Sequence, residues 1–236
     1  MTNDELLQQI TARFDEIVKN DKEIISLKEA LVARKAGYEK ANRYSELIGK
    51  ALQQAIAENI NPEMLPNGVM YEEMARAILE PTLKTNFELV TEYTQMMQTQ
   101  LYRKDGLGLN ALAPKYDPEK TEGIVKYISG LPYEERQAEF LETIVTNTMK
   151  NVDDSLKENA EFMAKSGAII EVERVLAPDE TRETSTGRTY DVPCSLCEEV
   201  AGTYSYGDEP DEFWMRHEGC RCSIIISRAD GTTEER

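Results

Sequence analysis

All four cysteines and the single histidine of this 236-residue chain fall between Cys194 and Cys222, in the spacing Cys194-x2-Cys197-x19-His217-x2-Cys220-x-Cys222. Nothing else in the sequence restricts the fold as much. Zinc takes four nitrogen or sulfur ligands in a tetrahedron, and a C-x2-C pair on a tight turn supplies two of them with little strain. The second pair comes from His217, Cys220 and Cys222, which leaves one residue spare. Cys220 and Cys222 fall on the same side of an extended backbone, because strand side chains repeat every two residues. His217 either ligates through one ring nitrogen or donates to a thiolate from outside the ligand set. A structural zinc held by four of these five is the expectation.

Three other chemistries compete for the same residues. A Cys194–Cys197 disulfide needs an oxidising compartment. The N-terminal MTNDELLQQI lacks a basic stretch followed by an apolar core, which points to synthesis in a reducing cytoplasm. A thioredoxin-like redox pair needs a βαβ setting, and none surrounds Cys194-x-x-Cys197. A zinc deaminase needs H-x-E together with P-C-x-x-C. Pro193-Cys194-x-x-Cys197 matches half of that, but the only histidine lies downstream, in His217-Glu218-Gly219-Cys220. Energetics also favour a structural ion. About 70 residues with few large apolar side chains bury a thin core, and a structural zinc contributes on the order of 10 kcal/mol to such a fold.

The rest of the chain follows different rules. Residues 166–236 carry 16 acids and 7 bases, all seven of them Arg, and the last lysine is Lys165. A boundary near Ser166–Gly167 therefore separates a region 1–165 from a Cys/His-rich module 166–236. Over the whole chain the formal charge is -17, which argues against direct nucleic-acid binding, since that draws on Lys and Arg. The mean hydropathy of -0.54 and the lack of any apolar run near 20 residues argue against a membrane span.

Region 1–165 has helical periodicity. Thr2-x-x-Glu5 fits a capping box. Leu7, Ile10, Phe14, Ile17, Ile24, Leu31 and Tyr38 then recur in threes, fours and sevens. The stripe continues through Ala41, Tyr44, Ile48, Leu52 and Ile56, so residues 3–59 are expected to form one long helix or two in line. Asp21 falls on the stripe and marks its weakest point. A long stripe serves either a coiled-coil seam for self-association or packing within the chain. Asp21, Lys28 and Lys35 interrupt the heptad and favour the second. Further helices are expected at about 70–103, kinked or split by Pro81, at about 118–129 with Asp117 as N-cap and Pro118 first, and at 133–164. Met97 is expected in the core, with Met96 beside it. No phosphate loop, serine elbow or HExxH motif is present.

Region 166–236 has strand periodicity. Ala168–Val175 places Ile170, Val172 and Arg174 on one side. Residues 177–187 are polar and loop-like, and Arg188–Val192 is a second possible strand. Glu198–Ala201 suits one helical turn, stopped at Gly202. Thr203–Tyr206 and Cys222–Ser227 complete the expected strands, and the tail Asp230–Arg236 is polar and expected to fray. Tyr204, Tyr206, Phe213 and Trp214 either anchor a partner or cover the metal core; the second is expected. Arg216 and Arg221 flank the ligands and are expected to soften the charge of a thiolate-bound ion. The fold class is thus mainly α with a small C-terminal β-rich, zinc-stabilised module, an α+β arrangement.

Cys194-Ser-Leu-Cys-Glu-Glu-Val-Ala-Gly-Thr-Tyr204 followed by Arg216-His-Glu-Gly-Cys-Arg-Cys222 resembles the C-terminal module of tailed-phage head morphogenesis proteins, the minor capsid proteins of the Mu F type. That pattern has C-x-x-C, then Leu/Val-x-Gly, then a variable stretch, then H-x-x-C-R-C with a strand after it. The chain matches it at Cys194, Cys197, Val200-Ala201-Gly202, His217, Cys220, Arg221 and Cys222. The likeness covers about residues 168–230. It implies a structural, non-enzymatic virion protein, made in the host cytoplasm and placed inside the capsid or near the portal. Its partners would be the portal or the major capsid protein. Two other classes fit the motif less fully: a zinc-ribbon adaptor that binds a partner through its long helix, and a zinc hydrolase or deaminase.

Overall fold

The structure is a computed structural model that describes residues 2–177, 180–183, 189–192 and 194–229, with the backbone alone described at 180–183 and 189–192. Arg188, Gly187, Pro193 and the tail from Asp230 lie outside the described residues, so the expectations placed on them are not addressed.

The first helix, α1 (Asn3–Asn20), opens with the expected capping box. The Thr2 hydroxyl accepts from the Glu5 amide and the Glu5 carboxylate accepts from the Thr2 amide. The expected long helix then breaks twice. Asp21 ends α1 and caps α2 (Lys22–Val32), its carboxylate accepting from the Glu23 and Ile24 amides. A short polar side chain that can satisfy two free amides favours a cap over a helix interior. The chain reverses after Val32, where Arg34 adopts a positive φ of 58°. It returns as α3 (Tyr38–Asn59). Arg13 pairs with Glu58, and Arg43 with Glu23, so α1 and α2 run antiparallel to α3.

This reversal decides the use of the apolar stripe. Ile10, Phe14, Ile24 and Leu31 face Ala41, Tyr44, Ile48, Leu52 and Ile56 within one continuous core. These stripe residues are buried inside the chain.

Helix α4 (Glu72–Lys104) is continuous through Pro81, which neither splits nor ends it. Pro81 lies on the exposed side, where a carbonyl left without its helical donor can be hydrated. Met97 is fully buried and Met96 is exposed. After a loop, α5 (Pro118–Ile128) starts on Asp117, whose carboxylate accepts from the Glu119 amide. Helix α6 (Tyr133–Lys165) follows. It packs along α3, α4 and α5. Helices α3 and α6 approach closely at Gly49, where a Cβ would lie 2.9 Å from Val145 Cα and 3.1 Å from Thr148 Cβ. Only a residue without a side chain lets these backbones meet.

The C-terminal part begins with β1 (Ile170–Val175), which pairs antiparallel with both β4 (Gly202–Ser205) and β5 (Ser223–Arg228). Val172 stands opposite Tyr204 on one side and Ile226 on the other. Separately, β2 (Glu180–Glu183) pairs antiparallel with β3 (Thr189–Val192). The first of these falls in the stretch expected to be a loop. Its residues are polar, and the apolar alternation that marks a half-buried strand is absent there. A five-residue helix, α7 (Ser195–Glu199), lies three residues earlier than the turn expected at Glu198–Ala201 and overlaps it at Glu198 and Glu199. A 3-10 turn forms at Asp211–Trp214, and two more precede α4 at Pro62–Met64 and Pro66–Gly68. The expected mainly α chain with a small C-terminal sheet is therefore the observed fold.

The sheet docks on the helices. Ile170, Val172, Phe213, Trp214, Ile224 and Ile226 belong to the same core as the helical residues. Tyr38 of α3 donates its hydroxyl proton to the Ile226 carbonyl, and Lys157 of α6 lies over the Trp214 ring. Phe213 stands edge-on to both Tyr204 and Trp214. These aromatics thus close the sheet onto α6 rather than covering the cysteines, which form a separate small cluster with Ala177.

Candidate metal centre

Each ligand-type residue sits where the backbone turns. Cys194 caps α7, its sulfur accepting from the Cys197 amide at 3.4 Å. This brings the two residues of the C-x2-C pair to one side of a tight turn. The second group forms on another turn, in which the Cys220 amide donates to the His217 carbonyl. Gly219 permits it by adopting a φ of 77°. Cys222 follows immediately before β5, so the strand pairing with β1 fixes its place.

The turns converge. Cys194, Cys197 and His217 have their ligand atoms within 4.8 Å of one another, as do Cys197, Cys220 and Cys222. Cys197 belongs to both groups. All five expected residues are therefore assembled, and they form a cluster that can hold a metal ion. None of the four cysteines is in a disulfide.

Bond lengths test how well a zinc would fit. Zn–S bonds of about 2.3 Å and Zn–N bonds of about 2.0 Å at tetrahedral angles put sulfurs about 3.8 Å apart, and sulfur about 3.5 Å from nitrogen. Cys197 Sγ lies 3.6 Å from Cys220 Sγ and 3.5 Å from His217 Nε2. Cys194 Sγ is closer to His217 Nε2, at 2.6 Å, a hydrogen-bond distance rather than a coordination edge. His217 Nδ1 lies 2.7 Å from the Glu218 carbonyl. A carbonyl can only accept, so Nδ1 donates to it and Nε2 is the ring nitrogen turned toward the sulfurs. That is how a ligating histidine is oriented.

Electrostatics point the same way. Hydrogen bonds with Cys197 and Cys220 push His217 up to about 11. Contacts with Cys197 and Cys222 hold Cys220 far below the usual thiol range. Contacts with Cys197 and Cys220 drive Cys222 upward. The opposed shifts mean that neighbouring ligand-type groups share protons, which a divalent cation would replace. Cys197, Cys220 and Cys222 are buried, and Cys194 is half-buried.

The two arginines beside the ligands serve mainly to dock the cluster. Arg216 is buried and donates through Nε and Nη2 to the two carboxylate oxygens of Asp153 on α6, at 2.7 and 2.9 Å. It also donates to Asn42 of α3 and to the Cys220 and Cys222 carbonyls. Its approach to a sulfur, Cys220 Sγ, is 4.0 Å. Arg221 pairs with Glu46 of α3, and the Asn42 amide donates to the Arg221 carbonyl. Arg216 also stabilises charge on Cys220, as expected of it, while Arg221 is engaged by Glu46. Carboxylates outcompete sulfurs for a guanidinium fork.

The residue that does face the sulfurs is Arg174, which Cys197 Sγ and Cys220 Sγ approach at 3.5 Å each. Sequence reasoning placed it only on a strand face. Its signal was a charge in register with Ile170 and Val172 on the inward side. Asn42, Glu46 and Asp153 gave no signal, because each sits on a helix and meets the module only through folding. Comparison with protein-family models, with curated proteins and with solved structures found no match to this chain.

Proposed function

We propose that the cluster binds a structural zinc ion and that the chain is a non-enzymatic minor capsid protein of tailed-phage head assembly. The observation that carries the structural role is the closed, docked centre. Cys197, Cys220 and Cys222 are 1–3% exposed, and the turns that hold them are tied by buried ion pairs to α3 and α6. A catalytic zinc needs an open position for water or substrate. The buried carboxylate of Asp153 is engaged by Arg216, and that of Glu46 by Arg221. The zinc would be held by four of Cys194, Cys197, His217, Cys220 and Cys222, and would stabilise the module against the helices.

The viral assignment is supported by the likeness of Cys194-x-x-Cys197, Val200-Ala201-Gly202 and His217-x-x-Cys220-Arg221-Cys222 to the Mu F type. On this reading the chain is a low-copy virion component that contacts portal or capsid protein through its outer surfaces. An adaptor working through one long helix is disfavoured, because α1, α2 and α3 fold back on each other. The test is genetic and biochemical. In the virus that carries the gene, tagged protein should sediment with heads, and deletion should yield defective heads. Normal infectious particles lacking the protein would contradict the assignment.

A further inference from the structure

Arg174 projects from β1 beside Ile170 and Val172, with 3% of its surface exposed. A guanidinium stays charged at any working pH, so burial demands a counter-charge nearby. The other buried arginines here have carboxylates: Asp153 for Arg216 and Glu46 for Arg221. Among the described residues Arg174 has none within ion-pair distance. Its Nη1 donates to the Phe213 carbonyl, and its Nη2 reaches Cys197 Sγ and Cys220 Sγ. Its Nε has no partner. Neutral thiols are weak acceptors and bring no charge; thiolates bring both.

We infer that Arg174 is the built-in counter-cation of the metal centre, its guanidinium set against Cys197 Sγ and Cys220 Sγ where it quenches their attack on electrophiles. This rests on the metal reading above. The charge sum agrees. A divalent ion with three thiolates and a neutral imidazole carries one negative charge, which Arg174 cancels. Four thiolates leave an uncancelled charge in a buried place, so charge balance favours His217 in the ligand set. A guanidinium N–H aimed at sulfur ties up lone-pair density that alkylation requires. Arg174 acts through the ligands and is a positioning residue. Its second bond, to Phe213, links the centre to the aromatic contacts that close the sheet onto α6.

The test uses the full chain with zinc loaded. Excess iodoacetamide alkylates the sulfurs, and a chromogenic chelator follows zinc release. Arg174→Met keeps the stem and removes the charge. It should speed release about tenfold, the equivalent of losing one charge-assisted hydrogen bond. Arg174→Lys keeps the charge and should stay near the wild-type rate. Near-ultraviolet circular dichroism and Trp214 emission establish that each variant is folded. A folded Arg174→Met that releases zinc at the wild-type rate would overturn the inference. If that variant does not fold, the wild type decides. With 15N-labelled arginine, the Arg174 Nη protons should shift and exchange more slowly when zinc is added to metal-free protein. An unchanged guanidinium spectrum on loading would overturn it. A wild-type chain that takes up no zinc would instead remove the metal reading itself, and the inference with it.

Discussion

Asp153→Asn isolates the contact that ties the cysteine module to the helices. The Asp153 and Arg216 side chains are 2% and 1% exposed and meet through two hydrogen bonds. Burial by itself pushes the Asp153 carboxyl up, and Arg216 opposes that. Replacing the carboxylate removes the counter-charge of a guanidinium that water cannot reach. Breaking a buried pair from one side costs about 3–5 kcal/mol. Asn42 and the Cys220 and Cys222 carbonyls still accept from Arg216, which favours the lower end of that range. Urea unfolding followed by Trp214 emission reports on the docked module, since Trp214 is the only tryptophan and packs against α6 through Lys157. The expected loss is about 3 kcal/mol. The apolar double variant Asp153→Leu/Arg216→Met should recover much of it, because it leaves no charge behind. A change within about 0.5 kcal/mol for Asp153→Asn, the range of ordinary surface substitutions, would refute the reasoning.

Acid should weaken the fold through Glu46. Burial alone would raise its carboxyl, but Arg221, Lys50 and Arg43 overcome that and lower it from 4.5 to about 2. A depressed carboxyl contributes fully above pH 4.5, and its contribution fades as pH falls toward 2. The shift corresponds to about 3 kcal/mol. Titrating wild type against Glu46→Gln should show a flatter stability profile for the variant between pH 4.5 and pH 2, and parallel curves would count against the pairing. Gly49→Val should cost at least about 1–3 kcal/mol, since its side chain meets the Val145 backbone; an unchanged melting temperature would mean that α3 and α6 lie further apart. Cys197→Ser should abolish metal uptake and undock the sheet, seen as red-shifted Trp214 emission, because both ligand groups share that sulfur. Retained metal at wild-type affinity would place the ion elsewhere.

What the sequence disclosed depended on how local the cause was. The capping box at Thr2 and the N-cap at Asp117 are local chemistry, and both appear in the structure. Asp21 stood out as a charge on an apolar stripe, and it is where the helix ends. The reversal at residues 33–37 was missed although Gly37, the N-cap of α3, lies in it; a single Gly on a continuing apolar stripe is a weak stop, and the fold-back gains its stability from distant partners on α3. Pro81 does not split its helix, because its exposed position lets the carbonyl it leaves without a donor be hydrated. The ligand cluster was legible because metal chemistry needs few residue types in tight spacing. The docking set Asn42, Glu46 and Asp153 was not, since nothing near those positions along the chain distinguishes them from ordinary helix surface.

Metal content bears most directly on the account. The full chain, purified without added metal and without chelator, should carry about one zinc ion per molecule by elemental analysis. Stripping it with a strong chelator should lower the unfolding midpoint and release four titratable thiols. Protein that is free of metal as purified, takes none up, and unfolds at the same midpoint with or without chelator would contradict the proposal that an ion holds the C-terminal module together.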